Sequence, residues 1–478
     1  MNSSPFDGPS RPQFSSFVSV LSALVLMATL GAILWFSSNS PKLDRFEDPD
    51  QALDLMVGRT MEARDGLELA PDMQQWMSAW TSGGHQAERE QAIQWYRELV
   101  ATTGRPQSYL RLAILQGESE RLGEALATAQ AWKTGDEPFP LYARFIEGAY
   151  GDGPLSKEDE TALQAELAEA LPAGWFYNHL AAALAERAGD VSLRATVGQQ
   201  IQERGERMQQ RAQVLTGIEL FSLIIGSTLL LGILRLKGQR TDILRLHHPG
   251  IPPPWPGGAG AAVLLRGMAL GALVSLAFFS FAPAENDSLR VLAIPMVNLP
   301  LLAMAYAYVL KPAGLNFWSG FGLRIQRAQV ARLAGIVLAV VAAGLWGEWV
   351  MGRVTESMSL TNHWTEWFDP NLVWASGSVL GISLLEYVVF APIFEELAFR
   401  GLLYASLRRR LTPLPAAMMS AGIFALAHGY GLIGFLSVFW SGLLWAWIYE
   451  RTGSVLPGMI AHATNNLLVC LSVMALLR

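Results

Sequence analysis

Two adjacent glutamates, Glu395 and Glu396, follow more than twenty largely apolar residues running from Asn371 to Phe394. A carboxylate in or beside hydrocarbon costs kilocalories unless it is paired or used. Arg400 stands four residues after Glu396, one helical turn along the same face, so an intrahelical ion pair is predicted there. Glu395 points about 100° away and lacks that partner. An unpaired carboxylate in low dielectric takes up a proton readily and can serve as a general base.

Of seven histidines, two fall within apolar runs: His428 in "FALAH" and His462 in "IAHATNN". Phe424 precedes His428 by four residues, placed to pack on the imidazole. Asn466 follows His462 by four and shares its face. Glu395 lies 17 residues before Thr412 and His428 lies 16 after it. If the chain folds into a helical hairpin at "LTPLP", both sit ~24–26 Å from the turn, at matching depth. His462, about two turns into its own helix, enters from the same side. Taken singly, each feature has a plainer reading: an interfacial charge cluster, a hydrogen-bonded core histidine, a chance i,i+4 pair. Their joint occurrence on three helices is what argues for a site. Glu219, Arg266 and Glu386 also fall in apolar runs; the first two read as positioning or snorkelling residues, and nothing decides Glu386.

The elements that must position these groups belong to a membrane protein. About half of the 478 residues are hydrophobic and only 16% are charged. The formal charge of −6 hides an asymmetry: residues 37–212 hold 17 Lys/Arg against 28 Asp/Glu, a net of −11. That acidity argues against a nucleic-acid partner. A single cysteine, Cys470, excludes a disulfide framework and a cysteine-based metal site.

Phe14 to Phe36 is long enough to span ~30 Å of hydrocarbon, and "SSNSPK" is not a small-x-small cleavage site, so 1–36 reads as an uncleaved signal anchor. Residues 37–212 read as a soluble acidic helical domain. Leu110 and Leu180, 70 residues apart, stand close to two tetratricopeptide periods, but no full consensus is present and a plain bundle fits equally. A second span occupies 213–235 and a Pro/Gly linker 236–259. A membrane domain, 260–478, then carries seven further apolar runs. The expected fold is therefore an all-α polytopic membrane helix bundle of about nine spans with an inserted soluble helical domain. Basic clusters at Arg235/Lys237/Arg240/Arg245, Lys311/Arg324/Arg327/Arg332 and Arg408–Arg410 all fall on one side if the N-terminus is cytoplasmic. The acidic domain then lies outside, and the pattern leans towards a bacterial inner membrane.

The three motifs, Glu395-Glu396-x-x-x-Arg400, Phe424-x-x-x-His428 and His462-x-x-x-Asn466, resemble the signature of the CPBP intramembrane proteases. These include the CAAX-prenyl endopeptidases and bacteriocin-processing or immunity (Abi-like) proteins. The run "TGSVLPGMIAH" before the last motif fits as well. The resemblance covers about 370–470 and implies roles residue by residue. Glu395 would activate a water together with His428. Glu396 would pair with Arg400 and hold the helix. His462 and Asn466 would donate hydrogen bonds to the oxyanion, and Phe424 would support the site.

The resemblance further implies that a glutamate-activated water works without metal, so no cofactor is expected. The alternative is zinc on His428, His462 and Glu395, since His₂Glu is a known catalytic set. No His-Glu-x-x-His is present. The substrate expected is a membrane-embedded or membrane-anchored protein or peptide, with 37–212 able to bind an extracytoplasmic protein partner. Two other classes compete. One is a catalytically silent scaffold or immunity-type protein that binds a partner through the outer domain; intact motifs weigh against it. The other is a proton-coupled transporter using the same Glu and His, which lacks a convincing inverted repeat.

Overall fold

The computed structural model describes residues 14–39, 41–71, 85–236, 244–247, 250–251, 253–281, 287–358 and 360–478. Lys237, Arg240 and parts of the predicted linker lie outside these. Every regular element among the described residues is helical. The main helices are α1 (Ser16–Asn39), α2 (Pro49–Glu68), α3 (His85–Thr103), α4 (Pro106–Gly117), α5 (Leu122–Trp132), α6 (Phe139–Tyr150), α7 (Lys157–Ala170) and α8 (Trp175–Ala188). They continue as α9 (Val191–Leu236), α10 (Gly257–Phe281), α11 (Asp287–Ala305), α12 (Val330–Ser357), α13 (Gly377–Leu407), α14 (Pro413–His428), α15 (Leu432–Thr452) and α16 (Leu456–Leu477).

The chain divides into two compact units: Met1–Ser40, Gly217–Val354 and Pro370–Leu471 form one, and Pro41–Thr216, Thr355–Asp369 and Ser472–Arg478 the other. The first is the membrane unit. Among the described residues eight helices are long and apolar enough to cross a bilayer. Large apolar side chains such as Phe17, Phe221 and Leu276 stay exposed on them, which suits lipid rather than water. The chain is an integral membrane protein. The ninth apolar run, α14, has only 16 residues. At 1.5 Å per residue it reaches ~24 Å, short of a ~30 Å core.

Without a hydrophobic drive between helices in lipid, close packing needs small residues at the crossings. Gly267 and Gly271 on α10, four apart, face α11 so tightly that a Cβ would stand 2.6 Å from Leu301 Cα and 2.5 Å from Val297 O. A Cβ on Gly226 of α9 would likewise run into Leu338 O of α12. Arg266 on α10 donates to Ser15 O at 2.7 Å and lies 4.7 Å from the centre of the Phe14 ring, so it anchors the start of α1.

α13 and α14 form the predicted hairpin, with Thr412 as the N-cap of α14 and Pro413 in its first turn. Gly453 (φ 71°) ends α15, and only a residue tolerant of the left-handed region fits there. The following turn is pinned: Ser454 Oγ donates to Gly322 O, and Val455 N to Phe321 O at 3.1 Å. That docking sets where α16, and with it His462, begins.

The second unit stacks α2 to α8 and the first part of α9, neighbouring helices packing in sequence order. Its polar core centres on His179, whose Nε2 lies 2.9 Å from Asp65 Oδ2 and Nδ1 3.1 Å from Glu118 Oε2. Residues 355–369, within the stretch that the sequence reads as the membrane domain, pack into this unit. Trp364 is fully buried and stacks on Phe46 at 4.8 Å. His363 Nε2 meets Glu98 Oε2 at 2.9 Å, and Gln91 donates to Asn362 O at 3.0 Å. These are side-chain partnerships that hydropathy cannot display.

Candidate active site

α13 carries the two glutamates and is not a regular α-helix. It widens into π-turns at Glu386–Phe390 and Glu396–Tyr404, on either side of an α segment, Ala391–Glu395. Pro392 gives the first widening a cause: its ring crowds the carbonyl four residues back, which is Val388, inside that turn. In the π register Ala391 N–H donates to Glu386 O. Such bulges mark functional places in helices more often than ordinary ones.

The adjacent glutamates meet different surroundings. Glu396 has no exposed side-chain surface and accepts from Arg400 Nη1 at 2.8 Å, the pair the i,i+4 spacing predicts. Arg400, equally buried, lies 4.3 Å from the centre of the Phe424 ring and 5.0 Å from that of Trp445. Its Nε and Nη2 have no hydrogen-bond acceptor among the described residues, so two π faces take the place of further acceptors. Gly442 makes room for this: a Cβ there would come 2.9 Å from Ala421 Cβ and 3.2 Å from Arg400 Nη2. The side chain of Glu395 is 31% exposed, and its Oε2 has no hydrogen-bond partner among the described residues.

His462 stands between them. Nδ1 lies 3.3 Å from Glu396 Oε1 and Nε2 lies 3.8 Å from Glu395 Oε2. The ring lies flat on Trp445, with centroids 4.0 Å apart and 18° between planes, and meets the edge of Phe424 at 6.0 Å. Asn466, one turn on, donates from Nδ2 to Tyr387 O at 2.9 Å, a carbonyl in the first π-turn.

His428 is turned back along its own helix. Its Nδ1 lies 2.8 Å from Phe424 O; a carbonyl only accepts, so Nδ1 carries the proton and Nε2 is left for other partners. Phe424, 1% exposed, touches the His428 ring at 4.7 Å and links it to His462, Trp445 and Arg400. The near neighbour of Glu395 among the described histidines is thus His462 rather than His428. Counting helical rise fixes depth but not the direction in which a side chain leaves its helix. Likewise, no three His, Cys, Asp or Glu side chains gather among the described residues as a metal's ligand set would require.

Sequence reasoning missed two members of the site. Trp445 has no motif of its own and sits in an aromatic run, "WAWIYE", that reads as ordinary membrane helix. The carbonyl of Tyr387 is backbone, invisible to a search for side-chain motifs; Pro392 was its one available signal. Glu386, left undecided by the sequence, is buried at the start of the first π-turn.

All three motifs lie on α13, α14 and α16, and these helices coincide with the comparison findings. Residues 377–468 match the family described as Rce1-like, Type II CAAX prenyl endopeptidase Rce1-like. No curated protein and no solved structure matches the chain. Residues 377–468, which carry every motif residue, thus give this integral membrane protein a C-terminal domain that matches the Rce1-like type II CAAX prenyl endopeptidases, in line with the CPBP resemblance.

Proposed function

We propose that the chain is an intramembrane endopeptidase that hydrolyses a peptide bond of a membrane-embedded or membrane-anchored protein by a glutamate-activated water. The observation that carries this reading is the division of labour between two neighbouring carboxylates. Glu396 has no exposed surface and offers Oε1 to both Arg400 and His462, whereas Glu395 is 31% exposed, has no basic ion-pair partner of its own on α13, and faces His462 with an oxygen that makes no hydrogen bond among the described residues. Glu395 takes a proton from the water as its oxygen bonds to the scissile carbonyl carbon, and later returns that proton to the departing amine. His428, with Nε2 available, shares the activation of the water.

The tetrahedral oxyanion is met by N–H donors of His462 and Asn466. Asn466 uses one amide hydrogen on Tyr387 O and keeps the second. His462 stands between the two carboxylates, with Nδ1 nearer Glu396 and Nε2 nearer Glu395. Glu396, Arg400 and Phe424 hold the geometry. The reaction runs without metal in this reading. A zinc ion on His428, His462 and Glu395 would require those three side chains to converge. The orientation that fits the basic loops has the N-terminus cytoplasmic and residues 37–212 outside a bacterial inner membrane, free to meet a protein partner.

The test is cleavage of transmembrane and CAAX-type reporter peptides by the purified full chain, with and without a strong chelator. Wild-type activity indifferent to chelator and lost in Glu395→Gln supports the mechanism. Activity abolished by chelator and restored by zinc replaces it with the metal reading. A folded chain that captures the reporters but never cuts them would favour the scaffold.

A further inference from the structure

The helical unit contains a cleft of about 130 Å³ that the protease reading does not use. Arg59, Arg111 and Arg204 line it together with Asp54 and Glu62, so it carries one more positive charge than negative. This occurs within a segment whose net charge is −11. The arginines are already arranged around carboxylates. Arg111, 5% exposed, grips Asp54 side-on, Nε to Oδ1 at 2.8 Å and Nη2 to Oδ2 at 3.1 Å. Glu62 is held from both sides, by Arg59 Nη1 at 2.9 Å and Arg204 Nη1 at 2.8 Å. Each guanidinium has five N–H donors, so these bonds leave donors over.

Two further features converge there. Residues Gly174, Trp175 and Phe176 line the same cleft and form the start of α8, a helix of 14 residues. Its N-cap is Gly174, which has no side chain to cap the first turn, and no acidic residue occupies that turn. The positive end of the helix dipole, with no side-chain cap, therefore borders the cleft. Independently, Trp175 is 98% buried, 2% exposed, yet its indole Nε1 has no hydrogen-bond partner among the described residues. A buried donor without an acceptor costs about 1–3 kcal/mol, a cost that a ligand oxygen would remove.

We propose that this cleft binds a carboxylate, borne either by a small molecule or by the C-terminus of a peptide. Planar, bidentate recognition is what arginine forks provide, and the Arg111–Asp54 pair already shows it. The single excess positive charge matches a monoanion, whereas a dianion would be left half-compensated inside an acidic domain. The volume admits a terminal residue or two and the cleft's open side lets a longer chain run out to solvent.

The experiment is isothermal titration of the full-length, detergent-purified protein at low salt. The probes are acetate, N-acetyl-alanine, its C-terminal amide, and N-acetyl-tetra-alanine with a free carboxylate. The free acids are expected to bind and the amide to bind at least tenfold more weakly. Arg59→Gln and Arg204→Gln, at half-exposed positions, should each weaken the acids about tenfold. Trp175→Phe, which keeps the ring and deletes the N–H, should weaken them severalfold. Tetra-alanine binding at least tenfold tighter than acetate identifies a peptide terminus as the source, and equal binding a small carboxylate; both support the site. Acid and amide binding alike, no acid binding at millimolar concentration, or variants indistinguishable from wild type would overturn it.

Discussion

Replacing Glu396 by Gln removes the charge that Arg400 faces while keeping the length of the side chain. Both members of that pair have no exposed side-chain surface. Removing one partner of a buried pair leaves an uncompensated charge and costs about 3–5 kcal/mol. Two features of this site locate the variant within that range. The contacts of Arg400 with Phe424 and Trp445 survive the substitution, each about 1–2 kcal/mol when desolvated. The amide oxygen of Gln can still accept from Nη1. Glu396→Gln should therefore fall near about 3 kcal/mol, and Glu396→Ala, which also strips His462 Nδ1 of its acceptor, near about 5 kcal/mol.

Glu395→Gln is the control one residue away. Its side chain is 31% exposed and its Oε2 makes no hydrogen bond, so the change should stay within about 1 kcal/mol of wild type. Cleavage should nevertheless fall on the order of a thousandfold, as expected when a general base is lost. Equilibrium unfolding of the full chain in mixed detergent micelles, followed by helicity, gives the free energies, and reporter cleavage gives the rates. If Glu396→Gln unfolds within 1 kcal/mol of wild type, or Glu395→Gln loses as much stability as it does, the assigned division between the glutamates is wrong.

Three further outcomes follow from the geometry. Burial alone would push His179 down, but hydrogen bonds to Asp65 and Glu118 and their charges outweigh it and hold the imidazole up at about 9. Because that is above the ordinary 6.5, the stabilisation is complete below pH 6.5 and is lost as pH rises through about 9, some ~3 kcal/mol in all. Hydrogen exchange in α8, corrected for intrinsic rates, should show this loss in wild type and not in His179→Gln. Gly226→Ala should destabilise by about 1–3 kcal/mol, because its Cβ would meet Leu338 backbone, whereas Gly232→Ala, with open space, should not; the unfolding assay above decides. Trp445→Leu should lower kcat about tenfold or more with little change in KM, since it removes the platform under His462, and Trp445→Phe should recover most of it.

Much of this was readable from residue type and spacing. Apolar runs of membrane length gave the all-helical bundle, because lipid leaves helices as the one local way to satisfy the backbone. The Glu396–Arg400 pair was readable because i,i+4 neighbours must meet on a helix. The relation between helices was harder. Glu395 and His428 share a depth, as reckoned from the turn, but azimuth depends on which crossings the small residues permit, and Gly442 or Gly226 announce no partner in sequence. The partners of segment 355–369 were hidden for a similar reason. Its Trp364 reads as an interfacial aromatic until Phe46, more than three hundred residues earlier, is seen stacked on it.

The irregularity of α13 joins the third motif to the first. In the π register Ala391 N–H is committed to Glu386 O, and the next residue, Pro392, has no N–H to offer Tyr387 O. Asn466 Nδ2 makes that bond from α16, so the proline and the asparagine are two halves of one arrangement. Pro392→Ala restores a backbone N–H at the position the π register would use. Tyr387 O would then be claimed within the helix and Asn466 released to other rotamers. Stability should hold or rise, while cleavage falls about tenfold. The diagnostic is non-additivity: Asn466→Ala should cost much less in the Pro392→Ala background than in wild type, because its anchor has already gone. Full additivity of the two rate losses would mean that the proline acts elsewhere and that Asn466 is positioned by something other than the carbonyl of Tyr387.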